Sequence, residues 1–324
     1  MVVCYHCLQV SRGGAAITAW PNLSAGVDVF FVMSGFVMVT SSRRLVGTPH
    51  PARVFLARRA LRIVPLYWLL TAVKLAVVLL APAMALSTAP TTWNVVASFL
   101  FIPSRNALGV VRPVLPVGWT LEFEMLFYVL FAAALALRVR VMWVVVPLAG
   151  VAAAGFWRQA GWPAPCFLLN GMVLEFAGGM VLAALPVLPR RRWGLAVAAC
   201  GLVGLVVLPL AGPWRFMMWG GPAILVMAGV LALEGAWVPA WMLAIGDASY
   251  AIYLVHPFVV PALGWGAVPV SVAAGLIVDR WLDKPLRSWL ATHGVIGDHG
   301  QKFLGSFFQK RTACFRSRPR MTLR

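Results

Sequence analysis

Long apolar runs separated by short polar loops set the pattern of this chain. They lie at about 1–10, 26–41, 64–86, 119–137, 141–156, 166–186, 193–211, 216–234, 247–263 and 264–279. A helix rises 1.5 Å per residue, so most of these runs are long enough to cross roughly 30 Å of hydrocarbon. The first and the last two are short. A further run near 93–103 is too short to span and is expected at the interface. No repeat of fixed period occurs, and no linker divides the chain. The pattern predicts an all-α, polytopic transmembrane helix bundle of about ten spans over residues 1–290, followed by a basic cytoplasmic tail at 291–324. That tail reads as a disordered segment, with attraction to anionic lipid as the alternative.

Arginine placement orients the bundle. The loop 42–63 holds Arg43, Arg44, Arg53, Arg58, Arg59 and Arg62. With that loop in the cytoplasm, alternation also puts Arg138 and Arg140, Arg190-Arg191-Arg192 and everything after about 280 inside. The outer loops keep only Arg12, Arg105, Arg112, Arg158 and Arg215. One orientation thus gathers every arginine cluster on one side, as the positive-inside rule requires. Both termini are then cytoplasmic, in a bacterial inner membrane.

Composition agrees. Apolar residues make up 61% of 324, charged residues 11%, and the mean hydropathy is +0.87. A soluble domain carries about a quarter charged residues. The formal net charge of +18 would suggest nucleic acid in a soluble protein, but loop arginines explain it here without such a partner. Five scattered cysteines make no disulfide framework. Cys4 and Cys7 form a C-x-x-C with no second pair, and no ligand set with metal spacing occurs.

Ionisable groups inside a membrane are costly, so each is a functional candidate. His6 lies in the first run, Asp28 opens the second, and Glu122 and Glu124 open the run at 119. Glu175 lies in the run at 166, and Asp247, Tyr250, Tyr253 and His256 lie near 250. A neutral imidazole takes a hydroxyl proton near pH 7, so His6 suits a general base; a helix-bonding histidine is the other reading. Arg59 and Arg62 are three apart and share a helix face. Paired guanidinium groups hold phosphates bidentately, although topology marking alone also explains them. Glu124 sits a turn into its helix among aromatics, whereas Glu122 is expected nearer water. Ser249, Tyr253 and His256 fall on one helical face, with Asp247 as that helix's N-cap. His256 precedes Pro257, where freed backbone and ring together can line a cavity.

Four segments, in order, resemble the acyltransferase-3 family. They are G-V-D-V-F-F-V-M-S-G-F (26–36), R-R-A-L-R-I-V-P-L-Y-W (58–68), G-W-T-L-E-F-E-M-L-F-Y (118–128) and G-D-A-S-Y-A-I-Y-L-V-H-P (246–257). The likeness is to the exopolysaccharide-modifying subgroup and covers about 1–290. It implies a membrane O-acyltransferase that moves an acyl group, most often acetyl, from cytosolic acyl-CoA to a hydroxyl of a lipid-linked or exported glycan. No bound cofactor or metal is implied. By motif position His6 resembles the family's essential first-helix histidine, and Arg59 and Arg62 match its R-x-x-R pair, associated with acyl-CoA. Glu124, Ser34-Gly35-Phe36, Tyr253 and His256 match further motif positions. Glu124 joins His6 as a catalytic candidate, and Tyr253 and His256 are candidates for substrate binding.

Two departures shape the expectations. The family places an arginine ten residues before the first-helix histidine, and His6 lies too near Met1 for one. A shortened first helix of about 15 Å is expected. The stretch from His256 to Asp283-Lys284-Pro285 is also short for two helices. The alternatives to an acyltransferase are a glycan exporter or flippase, which calls for inverted repeats that are not found, and a non-catalytic assembly subunit.

Overall fold

The computed structural model describes residues 1–11, 21–45, 47–81, 88–185, 189–208 and 215–292. Arg12 and the basic tail from 293 onward lie outside the described residues. Among those described, the chain is all-helical, with one isolated bridge between Arg105 and Val111. The helices are α1 (Val2–Ser11), α2 (Gly26–Ser42), α3 (Pro51–Leu80), α4 (Thr92–Phe99), α5 (Trp119–Ala136), α6 (Val145–Ala154) and α7 (Val173–Ala184). They continue with α8 (Arg191–Val207), α9 (Gly221–Ala232), α10 (Ala240–Asp247), α11 (Ser249–Leu263), α12 (Ala267–Val278) and α13 (Lys284–Thr292).

Among the described residues, four helical stretches are long and apolar enough to cross a membrane: Leu23–Ser42, Pro51–Leu80, Pro116–Ala136 and Ser249–Thr292. The last is a hairpin. Gly264 takes φ +51°, and Gly275 of α12 packs against the Ile252 backbone of α11. A straight helix would hold those two residues about 35 Å apart. Other apolar runs give shorter helices. The run at 166–186 yields only twelve helical residues, because Pro163 and Pro165 set a 3-10 turn at Ala164–Leu168 before α7 begins. The run near 93–103 forms the short α4, capped by the Thr91 hydroxyl accepting from Asn94 N–H.

Helix contacts in a membrane are made by packing and not by hydrophobic exclusion, so small residues mark the close crossings. Gly35 on α2 faces the Phe176 carbonyl of α7, and Gly179 on α7 faces the Val32 carbonyl of α2; a Cβ at either position would collide with backbone. Beside this crossing an aromatic stack fills the core. Phe176 lies 4.5 Å from Phe31 and 4.6 Å from Phe127, and Phe131 lies 5.0 Å from Phe55. Asp28, fully buried, is ion-paired with Arg215 at 2.7 Å, and Arg215 stacks over Trp219. Glu175 is buried beside that pair.

Two sequence expectations are corrected. Asp247 ends α10, and α11 starts after Ala248 with no side-chain cap. Glu122 does not meet water: it is only 2% exposed. Helix α5 begins beneath a folded loop, with Val114, Leu115, Val117 and Gly118 all buried just ahead of it.

Candidate active site

The centre of the bundle holds two groups of polar side chains joined by α5 and α11. The first is built on Glu124. Its position on α5 points it at α2 and α3, where its Oε1 accepts from Ser34 Oγ at 2.7 Å. The Tyr128 hydroxyl, one turn along α5, donates to the same oxygen at 2.5 Å. Oε2 has no hydrogen-bond partner among the described residues. Arg59 on α3 approaches from the side of Ser41, near the end of α2. Its Nη2 donates to Ser41 Oγ at 2.8 Å, and its guanidinium lies over the rings of Phe55 and Tyr128 at 5.8 and 5.9 Å. Arg59 and Arg62 are both within electrostatic reach of Glu124 without a direct ion pair. Arg62 also faces Asp283, which is bonded to Arg287 in the α12–α13 corner. Lys284 and Arg287 pair with Asp279 there. This ion-paired corner thus lies beside Arg62.

The second group centres on two histidines from opposite ends of the chain. Helix α1 packs on α11 and brings the His6 ring to 5.1 Å from that of His256. His6 Nδ1 lies 3.0 Å from Gln9 Oε1, a contact that leaves Nε2 available to a ligand. His256 is fully buried, and neither ring nitrogen has a hydrogen-bond partner among the described residues. Pro257 and Pro261 interrupt the ladder of α11 beside it, freeing the carbonyls of Tyr253 and Pro257. Tyr253 lies one turn earlier, its ring 5.7 Å from that of His256. The Tyr253 hydroxyl donates to the Val117 carbonyl at 2.9 Å and lies 3.0 Å from Thr120 Oγ1. This clamps α11 to the start of α5.

Glu124 is also within electrostatic reach of Tyr250 and Tyr253. Tyr250 donates to the Ile63 carbonyl at 2.7 Å, fixing α11 against α3. A polar track therefore runs from Arg59 and Arg62, past Glu124, to Tyr253, His256 and His6. All six sequence candidates lie on it. Ser249 does not: it is exposed, whereas His256 on the same face is buried. Sequence reading missed Tyr128 and Thr120, and left Ser34 without a role. Tyr128 was recoverable, since it is four residues from Glu124 on one helix face. Thr120, four residues before Glu124 on the same helix, was recoverable in the same way, whereas Ser34 and Ser41 enter from α2. Gly35, beside Ser34, serves the α2–α7 crossing.

The fold is a helical bundle with helices apolar and long enough to cross a membrane and a polar track in its interior. Residues 1–270 match the acyltransferase domain that defines the acyltransferase-3 family, and the chain belongs to that family. It is 38% identical over 304 residues to the exopolysaccharide production protein ExoZ of Rhizobium meliloti (strain 1021), covering 85% of this chain and 94% of that protein. No solved structure matches.

Proposed function

We propose that this protein is a membrane O-acyltransferase that moves an acyl group, in the first instance acetyl, from acyl-CoA to a hydroxyl of an exopolysaccharide or other surface glycan. The convergence of His6 and His256 at one end of a track that starts at Arg59 and Arg62 carries this reading. The arginine pair suits the phosphates of CoA, which planar guanidinium groups bind in bidentate fashion. At the far end His6 takes the proton of the sugar hydroxyl. The oxygen attacks the thioester carbonyl, the C–S bond breaks, and the thiolate leaves and takes up a proton. In a second route His6 carries the acyl group itself before passing it on. General-base catalysis by a positioned side chain contributes roughly 10²–10⁴ in rate.

The same reading places residues 1–290 in the inner membrane in about ten crossings, some of them short or tilted, with both termini and the 291–324 tail in the cytoplasm. The arginine distribution supports that orientation. The test is reconstitution of the full chain in vesicles with radiolabelled acetyl-CoA and a de-acylated polysaccharide. Expected are thiol release and label in the glycan in equal amounts. Glycan movement across the vesicle without thiol release would replace the transferase with an exporter.

A further inference from the structure

The outer loop between α4 and α5 holds two arginines outside the track, Arg105 and Arg112. We propose that Arg112 binds an anionic oxygen group of the acceptor glycan, a carboxylate or phosphate, and so holds the acceptor hydroxyl against His6. This rests on the transferase reading above.

The loop is built to hold this residue still. Asn94 Nδ2 donates to the Arg112 carbonyl at 3.0 Å and to Ser104 Oγ at 2.8 Å, and Arg112 N–H donates to the Ser104 carbonyl. Two residues on, Val114 N–H donates to Ser98 Oγ at 2.9 Å. Five residues on, the Val117 carbonyl accepts the Tyr253 hydroxyl. Backbone around Arg112 is thus tied both to α4 and to the histidine end of the site. Pro113, Val114 and Leu115 are buried, yet Arg112 is exposed.

Its neighbour shows what a structural arginine looks like here. Arg105 donates to three carbonyls, those of Gly109, Ala160 and Trp162. The Arg112 guanidinium makes no hydrogen bond and no ion pair among the described residues, and it lies within electrostatic reach of the His6 ring. A fixed backbone thus presents an unengaged planar fork near His6, a geometry suited to an anion. Topology marking does not explain it, because the positive-inside rule concerns cytoplasmic loops and this loop lies on the opposite side in the orientation above. An anion arriving there with a glycan has two sources. One is a carboxylate on a sugar; the other is the phosphate that joins a glycan to its lipid carrier.

The experiment uses the full chain with three acceptors: polysaccharide from cells lacking this protein, its carboxyl-reduced form, and the lipid-linked repeating unit. For Arg112→Gln the acceptor KM should rise about tenfold, equivalent to about 1.4 kcal/mol, with kcat within about twofold. Arg112→Lys should recover most of the binding. Raised salt should weaken acceptor binding by the wild type but not by Arg112→Gln, since an exposed pair is screened. A KM effect that vanishes on carboxyl reduction assigns a sugar carboxylate; one confined to the lipid-linked unit assigns the phosphate. Equal KM and equal salt dependence in wild type and Arg112→Gln would overturn the inference. Equilibrium dialysis of the same three glycans tests it without turnover, with unchanged binding by Arg112→Gln as the contrary result. Absence of thiol release by the wild type would sink the transferase reading alone.

Discussion

Ser34 and Glu124 should be energetically coupled, and the coupling can be measured. They belong to α2 and α5, and the 2.7 Å bond between them is fully buried. Interhelical hydrogen bonds in a bilayer average about 0.6 kcal/mol, with about 1.7 kcal/mol at the top of the range. Ser34→Ala removes that bond and leaves Glu124 Oε1 with Tyr128, so its cost should fall in this range. Glu124→Ala removes both bonds to Oε1 and strands two buried hydroxyls, which puts its cost at about 2–4 kcal/mol. Adding Ser34→Ala to Glu124→Ala should then cost nothing more, within the roughly 0.3–0.5 kcal/mol scatter of independent sites. The assay is reversible unfolding of the four proteins in bicelles. Strict additivity of the two single changes would show that the bond contributes nothing and that Glu124 is held by packing alone.

The same residue allows stability and chemistry to be separated. Glu124→Gln keeps an oxygen for Ser34 and Tyr128, so unfolding should shift by less than about 1.5 kcal/mol. It removes a carboxylate facing Arg59 and Arg62, and places amide donors where those cations already lie. Acyl transfer should fall at least about tenfold if that carboxylate helps set the arginines, a change of about 1.4 kcal/mol in barrier. Full activity in Glu124→Gln would reduce Glu124 to a helix-joining role.

The remaining predictions concern the two ends of the track and the crossing that supports it. Arg62→Lys keeps charge but loses the planar fork, so the KM for acyl-CoA should rise; normal acylation by Arg59→Ala/Arg62→Ala at equal protein level would mean that both residues only mark topology. His6→Ala and His6→Gln should both abolish glycan acylation with membrane insertion intact, because an amide cannot accept a proton near pH 7; acylation by His6→Gln would leave His256 as the next candidate. Gly179→Ala forces a Cβ into the Val32 carbonyl and should destabilise by about 1–3 kcal/mol, read as lost thermal stability, whereas Gly150→Ala, with open space around it, should be neutral. Reporter fusions after residues 50, 110 and 190 should read in, out and in, and a cytoplasmic reading at 110 would reverse the placement of Arg112.

Helix existence was legible because apolar run length is a property of consecutive residues. Helix length was less so, for reasons that can be named. Run 166–186 counted Cys166, Phe167 and Leu168 as spanning, but Pro163 and Pro165 commit them to a 3-10 turn. Run 247–263 was read as opening at an N-cap, but Asp247 closes a separate short helix. The hairpin of α11 and α12 turns at Gly264, whose positive φ is invisible in composition though its glycine is not. Hydropathy sees whether a residue suits lipid; it does not see where the backbone stops being helical.

The site divides along the same line. Relations within a helix were readable, as with Tyr253 and His256 or Arg59 and Arg62, because the 3.6-residue period fixes which side chains share a face. Glu122 was misread by equating the first turn of a helix with the water boundary, when the loop before α5 folds over it. Relations between helices had no local signal. Nothing near Met1 says that His6 will stand 5.1 Å from His256, or that Ser34 will meet Glu124. Motif order suggested that these residues act together, but only packing shows how: α1 lies on α11, Tyr253 ties α11 to α5, and Gly35 and Gly179 let α2 come close to α7. The distances in the site are therefore set in part by residues outside it, Gly35 and Gly179 among them. A change at Gly179 should for that reason disturb the Ser34–Glu124 bond from across a helix, and the coupling energy measured above should fall in a Gly179→Ala background.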